Sequence, residues 1–289
     1  MNRNQMFHHM VSDQSDLIVA PGAANAITAR LIEEAGFPVV YVTGAGLSNS
    51  MLGLADVGLL SFKEVIDQVK YICDAVEIPV IADGDTGFGN AINLIRTVKE
   101  FEKAGVSAIQ LEDQNTPKKC GHFDGKQIVP TEEMINKIKA GVDARQDQHF
   151  KIIARTDARS IDGIDATIER AEPYIEAGAD ITFIEAPESI DEMKLITSRL
   201  QGIPQVANMV EHGKTPIVHN EELVKMNFKI VLYANFLQRR AIKAMQEALY
   251  SLKKENTTYH FMNDIITMKE RNRLTKLDDI KKMEVKYML

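Results

Sequence analysis

Hydrophobic and polar positions follow one recurring phrase along this chain. A stretch of helical period ends in Ala-Gly, a short apolar run follows, and polar residues close the unit. Glu34-Ala35-Gly36-Phe37 leads into the run 38–44, Lys103-Ala104-Gly105-Val106 into 107–113, and Glu176-Ala177-Gly178-Ala179 into 180–186. In each unit the glycine supplies the left-handed residue that ends a helix, and the chain turns straight into a strand. Apolar runs at 17–20, 79–83, 151–155, 204–208 and 229–233 bring the predicted strands to eight. Between them lie helical patterns, such as Ile92, Ile95, Val98 and Phe101, and a predicted capping box at Ser189-Ile190-Asp191-Glu192.

Continuous apolar strands, each followed by a helix, predict a parallel sheet covered on its helical side. Eight of them predict closure into an α/β (β/α)8 TIM barrel, with its chemistry at the C-terminal rim. An open doubly wound sheet is the weaker alternative, because no Gly-rich phosphate loop follows the first strand. The whole chain, 1–289, reads as a single barrel domain. Residues 1–16 form an N-terminal arm anchored by Met6-Phe7. A helical extension from about 261 to 289 carries Met262, Ile265, Ile266 and Met268.

The chain has 289 residues, 45% of them hydrophobic, and a formal charge of −7. That acidic balance argues against nucleic-acid or membrane-surface binding. No apolar run approaches the ~20 residues of a membrane span, and no signal-type apolar segment follows Met1. Two cysteines, Cys73 in a helical pattern and Cys120 in a polar stretch, suggest no disulfide framework and a reducing, cytoplasmic setting.

Polar residues collect where the predicted strands end, as the barrel requires. They are Thr43-Gly44-Ala45-Gly46, Asp83-Gly84-Asp85-Thr86-Gly87-Phe88-Gly89, Glu112-Asp113, Arg155-Thr156-Asp157, Glu185, Asn208 and Tyr233-Ala234-Asn235. Asp83 and Asp85 are two apart on an extended segment and Glu112 comes from the next strand, so three acids without a histidine describe a hard-cation site. Mg²⁺, or Mn²⁺, fits such a set better than Zn²⁺. Arg155 offers a planar fork for a substrate carboxylate, with an ion pair to Asp157 or Glu185 as the structural alternative. Asn208 suits either substrate orientation or capping. The small residues Thr43, Gly44 and Ala45 leave their amides open to a carboxylate. The Gly84–Gly89 run is no nucleotide loop, since no Gly-Lys-Ser/Thr follows it. His8, His9, His212, His219 and His260 lack ligand spacing.

The most distinctive stretch is Lys118-Lys119-Cys120-Gly121-His122, a thiol set between ammonium groups and an imidazole. Cations beside a cysteine lower its pKa, so this thiol is expected to release a proton near neutral pH. A polar loop with an incidental cysteine is the plainer reading.

Taken in order, these motifs resemble the isocitrate lyase/phosphoenolpyruvate mutase superfamily from about Val19 to Tyr233, and the cysteine motif resembles its lyase branch, the 2-methylisocitrate and 2,3-dimethylmalate lyases. The resemblance implies a Mg²⁺-dependent barrel, usually a homotetramer (dimer of dimers), whose C-terminal helix is exchanged between subunits. It implies Asp83, Asp85 and Glu112 around the metal and a small-molecule carboxylic acid as substrate. Thr43, Gly44, Ala45 and Arg155 would hold that acid, Lys118, Gly121 and His122 would act from the loop, and Glu185 and Asn208 would lie at substrate or supporting positions. Tyr41 is implied as a candidate base, with a metal-linked carboxylate as the alternative, and Cys120 as the acid of a cleavage that releases pyruvate. Two departures stand out: Asn208-Met209-Val210-Glu211 is closer to the dimethylmalate lyase and oxaloacetate hydrolase pattern, and Ala234-Asn235-Phe236 replaces the Pro-Leu-Ser of methylisocitrate lyases. Hydrolysis of a 2-oxo acid such as oxaloacetate, a carboxyphosphonoenolpyruvate mutase-like activity, and a catalytically silent barrel serving as a binding subunit are the alternatives.

Overall fold

The computed structural model describes residues 1–13 and 16–288. Residues 14 and 15 of the expected arm, and residue 289 of the expected extension, lie outside the described residues. Eight parallel strands follow in chain order: β1 (Ile18–Ala23), β2 (Val40–Val42), β3 (Val80–Asp83), β4 (Ala108–Glu112), β5 (Lys151–Thr156), β6 (Ile181–Ile184), β7 (Val206–Asn208) and β8 (Ile230–Tyr233). Each pairs with its sequence neighbour and β1 pairs with β8. A parallel bridge between Thr182 and Gln205, reinforced by a 2.8 Å hydrogen bond from the Thr182 hydroxyl to Gln205 Oε1, joins β6 to β7 and completes the ring. The barrel expected from the sequence is the fold observed.

The helices before β8 are α1 (Arg3–Ser12), α2 (Ala26–Glu34), α3 (Gly44–Leu52), α4 (Phe62–Ala75), α5 (Ala91–Lys103), α6 (Thr131–Ala144), α7 (Arg159–Glu176), α8 (Ile190–Arg199) and α9 (Asn220–Lys225). The Ala-Gly phrases end helices as expected: Gly36, Gly105 and Gly178 have φ of 83°, 93° and 104°. The capping box at Ser189 is only half formed. Ser189 accepts from the Glu192 amide at 3.1 Å, but the Glu192 carboxylate is drawn off by the Glu188 amide and by Arg159.

The chain divides into two compact units, Met1–Gln238 and Arg239–Leu289. The first holds the barrel. The second carries most of α10 (Phe236–Glu255), a 3-10 turn, α11 (Met268–Leu274) and α12 (Leu277–Tyr287). Among the described residues no helix is long and apolar enough to cross a membrane.

Two sets of strand residues arise from the period of two. Val40, Val42, Val80, Ala82, Ile109, Leu111 and Ile152 face outward and pack with the helices. Ile18, Tyr41, Ile81, Ala108, Ile153, Ile181, Phe183 and Val206 belong to a separate inner cluster, joined by Phe7 and Val11 of α1. Continuing the inner lines upward by two residues gives Asp83, Gln110 and then Glu112, Arg155, Glu185 and Asn208. One barrel interior is therefore apolar below and ionic above.

Candidate active site

Strand register fixes the order of the ionic groups at the mouth. Glu112 stands beside Arg155, and Asp83 beside Gln110. Gln110 is 1% exposed and links two levels: its side-chain amide donates to Asp83 Oδ1 at 3.3 Å, and its oxygen accepts the Tyr41 hydroxyl at 3.2 Å. After β3 the chain coils tightly, with Asp85 and Phe88 at φ of 47° and 57°, values that non-glycine residues seldom adopt. The Asp85 carbonyl accepts the Glu112 amide at 2.9 Å, which ties this strained turn to β4.

Of the three predicted metal acids, Asp83 lies beside Asp85, and Glu112 lies near Asp83. Burial first, and then the neighbouring Asp85, raises the Asp83 carboxyl to about 6. Burial raises Glu112 well above the carboxylate range, and neither of its oxygens accepts a hydrogen bond, Arg155 Nε being 3.5 Å from Oε2. Buried, crowded and unpartnered carboxylates are what a cation would stabilise. Space is kept for one, since a Cβ on Gly44 would lie 2.8 Å from Asp83 Oδ2. These residues fit a hard divalent ion. Among the described residues no three His, Cys, Asp or Glu side chains close on a point by themselves. Such an ion would therefore keep part of its shell from water or substrate.

Thr43 caps α3, accepting from the Gly46 amide at 3.1 Å, and donates to Asn235 Oδ1 at 3.0 Å. Its hydroxyl is thus committed. The first turn of α3, with Gly44 and Ala45, begins beside the two aspartates.

Arg155 is held by Asp157 through Nε at 2.9 Å and NH2 at 3.1 Å, with NH1 3.3 Å from Glu185. The ion pairs offered as the structural alternative for Arg155 are therefore present. Burial pushes Glu185 up, but Arg155 and His122 outweigh it and hold the carboxyl at about 2. His122 Nε2 lies 3.2 Å from Glu185 Oε1, and Asn208 Nδ2 donates to the same carboxylate at 3.3 Å. His122 Nδ1 accepts the Lys214 amide at 3.2 Å.

The cysteine loop lies over these groups. A Cβ on Gly121 would meet Arg155 NH2 at 2.4 Å and Glu185 Cγ at 2.5 Å, so only glycine lets this main chain rest on the ion pair. The Cys120 amide donates to the Asp56 carbonyl at 3.1 Å. The cavity lined by Gly44, Ser48, Asp56, Asp83 and Asp85 is only about 10 Å³. A cleft of about 1020 Å³, lined by Lys194, Glu222 and Lys225 among others, holds none of the predicted site residues.

The expectation that neighbouring cations lower the Cys120 pKa is corrected. Burial raises it, against an opposing hydrogen bond from the His122 backbone. The two lysines do not attend the sulfur. Lys118 is 4% exposed and its amine pairs with Asp56 at 2.7 Å and Asp85 at 2.9 Å, while Lys119 reaches the Gly125 carbonyl at 2.9 Å. Cys120 is a thiol that keeps its proton. Tyr41 likewise keeps its phenolic proton, since burial and then Asp83 raise it well above its ordinary value, so the implied base is a hydrogen-bond donor in this form. Cys73 is the buried helical thiol expected, pushed up to about 12 by burial.

Sequence reasoning missed Asp56, Gln110 and Lys126. Asp56 is a lone acid in an apolar loop and Lys126 a lone base in a polar one, neither in a motif, but Gln110 was within reach: it falls on the inward line between Ala108 and Glu112.

The model of the phosphoenolpyruvate phosphomutase family matches residues 7–253. The chain is 48% identical over 287 residues to 2,3-dimethylmalate lyase of Eubacterium barkeri, covering 99% of each. It is 41% identical over 272 residues to a 2-methylisocitrate lyase of Aeropyrum pernix, covering 94% of this chain and 87% of the relative. A crystal structure of 2,3-dimethylmalate lyase superposes with a TM-score of 0.94 at 32% identity, over 99% of this chain and 95% of that one. The eight-stranded barrel agrees with these matches, and the chain belongs to the phosphoenolpyruvate phosphomutase family of the PEP mutase/isocitrate lyase superfamily.

Proposed function

We propose that this protein is a metal-dependent carbon–carbon lyase that cleaves a 2-hydroxy di- or tricarboxylate, of the 2,3-dimethylmalate or 2-methylisocitrate type, to pyruvate and a second carboxylic acid. The observation that carries the reading is the buried Cys120 thiol, whose pKa burial pushes up, on a loop whose next residue rests on the Arg155–Glu185 pair. A thiol that keeps its proton is suited to donating it to carbon.

Mg²⁺ (or Mn²⁺), held by Asp83, Asp85 and Glu112, would supply Lewis acidity that favours ionisation of the substrate's 2-hydroxyl, whose proton would pass to a carboxylate of that set. Arg155 is fixed along its Nε and NH2 edge by Asp157, so NH1 is the edge free to turn from Glu185 to a substrate carboxylate. Gly44 and Ala45 would receive a carboxylate at the start of α3, where helix amides are unpaired. When the C2–C3 bond breaks, its electron pair passes into the departing fragment as an enolate. Cys120 Sγ delivers a proton to that carbon, with Gly121, His122 and Asn208 around the product. Lys118, buried between Asp56 and Asp85, holds the loop inward, which excludes water from the enolate.

Exposed Met245, Leu249, Tyr250, Ile265, Ile266 and Met283 in the unit after residue 238 favour association of copies, for which we propose a homotetramer acting in the cytoplasm.

The test is a pyruvate-release screen of 2,3-dimethylmalate, 2-methylisocitrate and related 2-alkylmalates, with and without Mg²⁺. Metal-dependent pyruvate from one of them is expected. Oxaloacetate turnover with label from ¹⁸O-water in the product, and no pyruvate from any 2-hydroxy acid, would replace the lyase with a hydrolase. Silence toward every acid would leave a binding subunit.

A further inference from the structure

Lys126 belongs to no motif, yet its side chain and that of Asp157 are both fully buried, with the amine 3.1 Å from Asp157 Oδ1. The same amine donates to the Gly121 carbonyl. Asp157 is the carboxylate that also grips Arg155, and its Oδ1 receives Arg155 NH2 at 3.1 Å. A single carboxylate therefore joins the arginine of the barrel wall to a lysine of the loop, and that lysine holds the residue next to Cys120.

We propose that Lys126 is a positioning residue that latches the cysteine loop onto the Arg155–Asp157 pair and so sets the place of the Cys120 thiol. The receiving side is rigid without the loop. The Asp157 amide donates to Asp113 Oδ1 at 2.9 Å, and Asp113 Oδ2 takes Arg170 Nε at 2.7 Å and the Tyr174 hydroxyl at 2.9 Å. A buried ammonium is stable only beside its carboxylate, whereas outside it returns to water without penalty, so an ionic latch both holds and releases. Lys119 and Lys214 make no such tie: they meet Gly125 and Asp124 at the surface, where such contacts contribute little. Lys118 secures the near side of Cys120 and Lys126 the far side.

The consequence for catalysis rests on the lyase reading, but the test does not. Full-length wild type, Lys126→Met and Lys126→Arg are treated with iodoacetamide at one pH, and the rate at Cys120 is followed by peptide mass spectrometry. Removing a positive charge makes a nearby thiol harder to ionise and slower to alkylate, so a faster reaction reports an opened loop. Lys126→Met is expected to speed modification about tenfold or more, the scale of a lost charge-assisted hydrogen bond. Lys126→Arg should recover much of the wild-type protection, and Cys73 should stay unmodified in all three. Where a substrate is in hand, kcat should fall more than KM rises in Lys126→Met. An unchanged Cys120 rate in folded Lys126→Met would overturn the proposal. So would failure of both Lys126→Met and Lys126→Gln to fold, since the lysine would then serve the barrel rather than the loop.

Discussion

The two ends of this barrel treat buried charge in opposite ways. At the N-terminal end Asp180 takes Arg145 at 2.7 Å, Lys151 at 2.9 Å and the Ile152 amide at 2.9 Å, and Arg3 of α1 donates to carbonyls at the end of α4. Phe7 is completely buried there among the inward strand residues. Among the described residues two neutral groups, His8 Nδ1 and Ser107 Oγ, lack a hydrogen-bond partner at that end. At the C-terminal end neither Glu112 oxygen accepts a hydrogen bond, Asp83 is raised to about 6 by burial and by Asp85, and Asp85 itself sits at a positive φ. The same strands run through both ends, so architecture does not impose the difference. The lower end pairs its charges with one another, and the upper end leaves carboxylate oxygens that a bound ligand would satisfy.

The comparison breaks most visibly through the acids. Asp85→Ala should abolish turnover and cation affinity together, because it removes one of three carboxylates, yet leave the fold intact, because it also relieves repulsion on Asp83. Calorimetric titration with Mg²⁺ and a thermal melt check both halves. Chelation of the wild type should likewise stop turnover, and Mg²⁺ or Mn²⁺ should restore it better than Ca²⁺, a looser and weaker Lewis acid. Retained cation binding in Asp85→Ala would remove this residue from the site.

A smaller effect, of the opposite kind, is expected below. Phe7→Ala should cost about 3–5 kcal/mol of stability, the usual toll of deleting a fully buried phenylalanine. At a temperature where the variant is folded, kcat should stay within about twofold of wild type, since Phe7 reaches no group at the mouth. Denaturant unfolding and steady-state rates measure the two. A large fall in kcat without loss of stability would mean that the lower end also tunes the chemistry.

The sequence made the periodic parts of this molecule readable. Eight apolar runs and the glycines at Gly36, Gly105 and Gly178 carry local signals, and the barrel follows from their repetition. The acids Asp83, Asp85 and Glu112 were legible for the same reason, standing where strands end. Lys126 and Asp56 were not, because each gains its meaning from a partner far along the chain, Asp157 and Lys118. The Cys120 environment was misread through its neighbours in sequence. Lys118 and Lys119 flank it covalently, but Asp56, Asp85 and the Gly125 carbonyl draw their amines away, and burial governs the thiol instead.

The central claim is that Cys120 donates a proton to the enolate left by carbon–carbon cleavage, and Cys120→Ser measured beside Cys73→Ser tests it most directly. With the acid replaced by a far less acidic hydroxyl, kcat should fall by about 10² to 10⁴, the range for loss of a general acid, while substrate affinity holds. Cys73→Ser, altering a thiol enclosed in α4, should shift stability modestly and leave kcat alone. Wild-type turnover in Cys120→Ser would contradict the account.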